Sequence, residues 1–141
     1  MAIKVSGGIL NLANEIAERY EAPIPLLDIA EEELIKIICD DYGSTTFDGL
    51  TWFEAETDDF YIHLNTNRTR NNKPESVKGR FTLAHELGHY FIPHHRFGLM
   101  NGELKPHGSV NFLTNQGAWQ LERDADAFAS NLLMPTNSIK E

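Results

Sequence analysis

The segment R-F-T-L-A-H-E-L-G-H-Y-F-I-P-H-H, from Arg80 to His95, holds four of the chain's six histidines. His85 and His89 stand four residues apart, with Glu86 between them. On a helix of 3.6 residues per turn this spacing sets the two imidazoles about 40° apart, where both can reach one metal ion. Glu86, about 100° from His85, lies beside the pair, within reach of a water on that ion. A catalytic zinc commonly takes three protein ligands and keeps one position for water. In L-E-R-D-A-D-A-F-A, Glu122 and Asp126 share a face with Ala125 and Ala129. Set against Ala84 and Gly88, those alanines would let two helices approach closely and bring Glu122 in as the third ligand. Asp126, one turn on, would accept the outer N–H of a ligand histidine and fix its tautomer. Asp124, about 200° around from Glu122, is expected to face solvent. With zinc lowering the pKa of water to about 7, Glu86 would take the proton of an attacking water and hand it to a leaving amine, which is peptide-bond hydrolysis. An oxyanion stabiliser would come from Tyr90, His94, His95 or His107, among which the sequence does not choose. Two imidazoles and a carboxylate suit zinc best, with manganese the alternative ion.

These residues need elements to hold them. I-L-N-L-A-N-E-I-A-E-R-Y spaces Ile9, Leu12, Ala13, Ile16, Ala17 and Tyr20 as an amphipathic helix. Pro23 and Pro25 end it, and L-L-D-I-A-E-E-E-L-I-K-I-I-C-D-D-Y-G reads as a second helix with Asp28 as N-cap and Gly43 as stop. The N-terminal helices together are expected to span 9–42. L-T-W-F-E-A and F-Y-I-H-L-N, joined by an acidic turn, predict an antiparallel hairpin over 49–66. His63 there alternates with Tyr61 and Asn65 on the face opposite Ile62 and Leu64 and reads as a polar-face residue. Pro74 suits the start of the helix over 75–92 that carries the H-E-x-x-H motif, and Pro93 ends it. Val77, Phe81, Ala84, Gly88 and Phe91 form the apolar stripe expected to be buried. Gly88, which costs about 1 kcal/mol against alanine inside a helix, marks a place where another element packs closely. A long Gly-rich connection follows, then a helix over 118–134.

Composition narrows the function further. At 141 residues, with 41% apolar residues, residues 1–141 make a single globular domain. The net charge of −9 repels phosphate backbones and argues against direct nucleic-acid binding. Arg68, Arg70, Lys73, Lys78 and Arg80 read as a solvated loop and helix edge rather than a nucleic-acid patch. Cys39, the lone cysteine, has no partner thiol and is expected to be buried and inert. No run approaches the ~18 apolar residues that span a membrane, and the first twenty residues lack a leader's apolar core. A cytoplasmic protein is expected.

R-F-T-L-A-H-E-L-G-H-Y-F followed by E-R-D-A-D-A-F-A-S-N-L-L-M-P resembles the ImmA/IrrE family of gluzincin-like metallopeptidases. H-E-x-x-H alone is shared by many peptidases; its pairing with E-x-x-A-x-x-F-A-x-x-L-L-M-P is far more specific. The resemblance, over roughly Leu10 to Pro135, implies an α+β fold: a zincin-like minimal domain with the H-E-x-x-H helix, a small antiparallel sheet or hairpin and a second helix carrying the glutamate ligand. It implies zinc on His85, His89 and Glu122 with Glu86 catalytic. It also implies a specific protein substrate, such as a helix-turn-helix DNA-binding repressor encoded on a phage or mobile element. Some members carry added C-terminal helices, so this chain would be a minimal or shortened member. Two other readings remain: a metal-containing regulator that acts by binding a partner without cutting it, and a structural zinc domain. Structural sites close with four ligands, usually thiolates, which disfavours the last.

Overall fold

The computed structural model describes residues 7–104 and 116–134. The element order is α1 (Gly7–Ala17), α2 (Leu26–Glu32), β1 (Lys36–Asp40), β2 (Gly49–Glu54), β3 (Asp59–Asn65), α3 (Val77–Phe91), α4 (Pro93–Met100) and α5 (Gln116–Leu133). The strands form one sheet in the order β1-β3-β2. Helices and sheet are segregated in sequence, an α+β arrangement.

α1 buries Ile9, Ala13, Ile16 and Ala17, one side of a helix at the spacing of its apolar residues. α2 is shorter than the sequence suggests: it stops at Glu32, and residues 36–40 are a strand, not the rest of a helix. Its N-cap is Pro25, with Asp28 inside the first turn. The chain turns through Leu34, whose φ is +61°, and Ile35, Ile37 and Ile38 follow. A β-branched run fits a helix period and a strand period equally at this length. Pairing with β3 decides it: Lys36–Asp40 run parallel to Tyr61–Asn65. The sheet is therefore mixed rather than purely antiparallel. Because β1 is an edge strand, Cys39 is exposed, contrary to the buried thiol expected.

β2 and β3 form the antiparallel hairpin, with Gly49 opposite Leu64, Thr51 opposite Ile62 and Phe53 opposite Phe60. Phe60, Ile62 and Leu64 point into the core. On the other face the Tyr42 hydroxyl lies 2.7 Å from His63 Nδ1, so His63 serves the sheet surface. A polar ladder fastens the hairpin to α3. The Asn65 amide donates to the carbonyls of Gly43 and Phe47 at 2.7 and 2.8 Å, Asn72 donates to the Asn65 carbonyl, and Thr82 donates to Asn72 at 2.7 Å. Two of the basic residues close the same loops: Lys78 pairs with Asp48 at 2.9 Å, and Arg70 donates to the Ser44 carbonyl.

α3 starts at Ser76, whose hydroxyl accepts from the Gly79 amide at 2.9 Å, a capping bond of the usual kind. Of the expected apolar stripe, Ala84 and Gly88 are buried and Phe91 packs against the core, but Val77 and Phe81 are exposed. Val77 is 88% exposed, whereas every residue from Thr82 to His89 is buried. The cause is that α3 lies between the sheet and α5, so its middle turns are covered all round while the first turn projects past both. At Gly88 an added Cβ would sit 3.3 Å from the Ala125 Cα, so the two helices meet at the small residues. Pro93 ends α3 but also begins α4, where the sequence suggests only a connection. Ile92 is extended at φ −72°, ψ 115°, and proline's fixed φ then suits the first position of the new helix. α5 is held to α1 by Asn131, whose amide donates to the Leu10 carbonyl and Asn14 Oδ1 at 2.9 and 2.7 Å.

Candidate metal centre

α3 and α5 pack with His85, His89 and Glu122 converging. One ligand atom from each lies within 4.8 Å of the others. His85 Nε2 is 2.9 Å from Glu122 Oε2, and His89 Nε2 is 3.6 Å from Glu122 Oε1. The two rings meet edge to face with centroids 5.0 Å apart. Both nitrogens and the carboxylate therefore face one point, the donor set a zinc ion takes at about 2.0–2.2 Å from each atom.

Behind this group, each imidazole is held at its outer nitrogen. His85 Nδ1 donates to Asp126 Oδ1 at 2.7 Å. Asp126→Ala should therefore lower metal affinity about 10–100-fold, read by competition with a chelator; an unchanged affinity would make Asp126 an ordinary surface carboxylate. His89 Nδ1 faces His95 Nδ1 at 3.0 Å, and His95 Nε2 faces Asp124 Oδ2 at 3.5 Å. His95 is fully buried. Burial, reinforced by neighbouring His94, pushes its pKa down to about 4, so the ring is neutral.

Asp124 is the clearest correction to the sequence reading. It is 4% exposed, not solvated, and Gln120 donates to its Oδ1 at 2.9 Å. On that flank of α5 it faces His94 and His95 of α4. Of the four residues considered as oxyanion stabilisers, the Tyr90 hydroxyl donates to Glu33 at 2.9 Å, His95 supports His89, and His94 Nε2 lies 3.7 Å from Asp124. His107 lies outside the described residues.

Glu86 is 1% exposed and sits beneath the hairpin. Thr51 Oγ1 donates to its Oε1 at 2.7 Å. Gly49 passes so close that an added Cβ would lie 2.9 Å from Glu86 Cγ. Sequence reasoning did not single out Thr51. No local signal marks it, because the contact joins residues 35 apart through hairpin docking.

Burial lowers the pKa of His85, but hydrogen bonds to Asp126 and Glu122, with the Glu86 charge, outweigh it and raise the value to about 10. The metal-free site thus holds an imidazolium, whose proton on Nε2 competes with a metal. Zinc affinity should rise as pH increases from about 7 toward about 10, with proton release on binding. In the metal-free chain the sign is opposite. A raised folded pKa stabilises fully below the unfolded value of about 6.5 and is lost as pH rises through about 10. Chelator-treated protein should therefore melt at lower temperature at pH 9 than at pH 6.5. A flat profile would show that the carboxylates do not hold that proton.

Residues 61–141 match the peptidase family described as the IrrE N-terminal-like domain. The metallopeptidase ImmA of Bacillus subtilis (strain 168) is 30% identical over 114 residues, which cover 81% of this chain and 56% of that protein. The chain thus spans about half the length of the curated relative it matches.

Proposed function

Because the chain belongs to the IrrE N-terminal-like family of peptidases, we propose that it is a zinc-dependent endopeptidase in which His85, His89 and Glu122 hold the ion. The observation that carries this reading is the convergence of those three side chains beside a buried glutamate. Zinc bound there would supply Lewis acidity, polarising the scissile carbonyl and lowering the pKa of water to about 7.

The chain's own residues do the rest. Glu86 accepts a proton from the attacking water and returns it to the leaving amine. Thr51 holds Glu86 at Oε1, and burial under the hairpin keeps bulk water from competing. Asp126 fixes the tautomer of His85, and His95 holds the ring of His89 in place. β2 is an edge of the sheet and carries both Gly49 and Thr51 against Glu86. An extended peptide added to that edge would run past the base, recognised by its backbone.

For the substrate we infer a specific protein, a helix-turn-helix DNA-binding repressor. The net charge of −9 complements a basic DNA-binding surface, and such a substrate puts the reaction in the cytoplasm. No helix among the described residues is long and apolar enough to cross a membrane. Incubation of the zinc-loaded chain with purified helix-turn-helix repressors should give one discrete cleavage that a chelator stops. Stable binding without cleavage would favour the regulator reading instead.

A further inference from the structure

Beside the proposed centre, a second group of donors converges where α4 meets α5. One ligand atom from each of His94, His95 and Asp124 lies within 4.8 Å of the others. The carboxylate is fixed for the purpose: Gln120 holds Oδ1 at 2.9 Å, leaving Oδ2 directed at both rings. His95 Nε2 stands 3.5 Å and His94 Nε2 3.7 Å from that oxygen. These separations are long for N–H···O hydrogen bonds, which run about 2.7–3.2 Å. They suit the edges of a tetrahedral site instead: ligands about 2.0–2.2 Å from one ion stand about 3.3–3.6 Å apart. The side chains of His95 and Asp124 are 0% and 5% exposed and that of His94 is 64% exposed. The group therefore has a built floor and an open mouth, through which an ion could exchange.

The two groups are joined by one hydrogen bond. His89 Nδ1 and His95 Nδ1 are 3.0 Å apart, so one must donate and the other accept. Each neutral imidazole carries a single N–H. When His89 donates, its Nε2 is free of hydrogen and can ligate the first ion, while His95 keeps its hydrogen on Nε2, facing Asp124. When His95 donates, its own Nε2 can ligate a second ion, and the hydrogen of His89 moves to the nitrogen that faces Glu122. Either ring can bind metal at Nε2, but with that hydrogen bond intact and both rings neutral they cannot do so together.

We propose that His94, His95 and Asp124 form a second, exchangeable divalent-cation site of the zinc type, which opposes metal binding at His85, His89 and Glu122 through the His89–His95 hydrogen bond. The opposition rests on the metal-centre reading above; the second site does not. Rising metal concentration would weaken the chain's hold on its first ion, making the site a sensor of metal excess.

Zinc titration by equilibrium dialysis tests both parts. His85→Ala/Glu122→Ala, which leaves the first site a single ligand, should bind about one zinc, and adding His94→Ala should remove it. In the wild type, with its first site filled, a second zinc should bind at least about tenfold more weakly than it binds to that double variant. His94→Ala alone, a surface change, should bind one zinc and never a second. Should the double variant misfold, the comparison of wild type with His94→Ala in excess zinc still decides the second site. If His94→Ala binds a second zinc as the wild type does, or if neither takes one at any concentration, the second site is overturned. Equal affinities of the second zinc in wild type and double variant overturn the opposition. A wild type without a first zinc that survives His94→Ala overturns the metal-centre reading instead.

Discussion

Glu86→Gln is expected to lower substrate cleavage by about 10²–10⁴-fold while leaving zinc content unchanged. The glutamine is nearly isosteric and can still accept the Thr51 hydrogen bond made at Oε1, so position is kept and only basicity is lost. The buried setting sharpens the expectation, because at 1% exposure a substitute base from solvent has little access. Folding is monitored by circular dichroism and metal by elemental analysis, so a fall in activity alone isolates the proton transfer. Undiminished cleavage would remove Glu86 from the mechanism. A variant that no longer cuts yet still relieves repression in cells would leave a binding regulator as the better description.

In a His94→Ala background, which removes the second site proposed above, Glu122→Gln should strip most of the zinc from the purified chain, against about one equivalent with Glu122 intact. An amide oxygen is a neutral and poorer donor, and both Glu122 oxygens face the two imidazoles at 2.9 and 3.6 Å. The informative comparison is Asp124→Ala. From the sequence it should keep its metal, since a solvated carboxylate two residues from a ligand has nothing to hold. The structure reverses this. Asp124 is buried at the end of a line running from His89 through His95, so its loss should weaken metal binding about tenfold by freeing His89 to reorient. Full retention by Asp124→Ala would mean the line does not orient His89. Equal retention in both variants would mean Glu122 is not the third ligand.

The sequence alone determined which side chains share a face, because that depends on spacing along one helix. His85, Glu86 and His89 are placed by 3.6 residues per turn, and Glu122 with Asp126 by the same geometry, so the side chains that converge between α3 and α5 were legible before any fold was known. The close approach of α3 and α5 was legible too, because Gly88 and Ala125 are small where the helices must meet. The hairpin followed from two aromatic, β-branched runs around an acidic turn. The tertiary structure decided whatever depends on a neighbour distant in the chain. Residues 36–40 could satisfy either period, and the exposed edge of β3 made them a strand. Val77 and Phe81 looked as apolar as Leu83 and Leu87, but the sheet and α5 cover only the middle of α3. Thr51 gained its place at Glu86 through hairpin docking, and Asp124 and His95 became interior once α4 folded against α5. Helical periodicity is a local property and survives in the sequence. Burial depends on which surfaces meet, and only the folded chain specifies that.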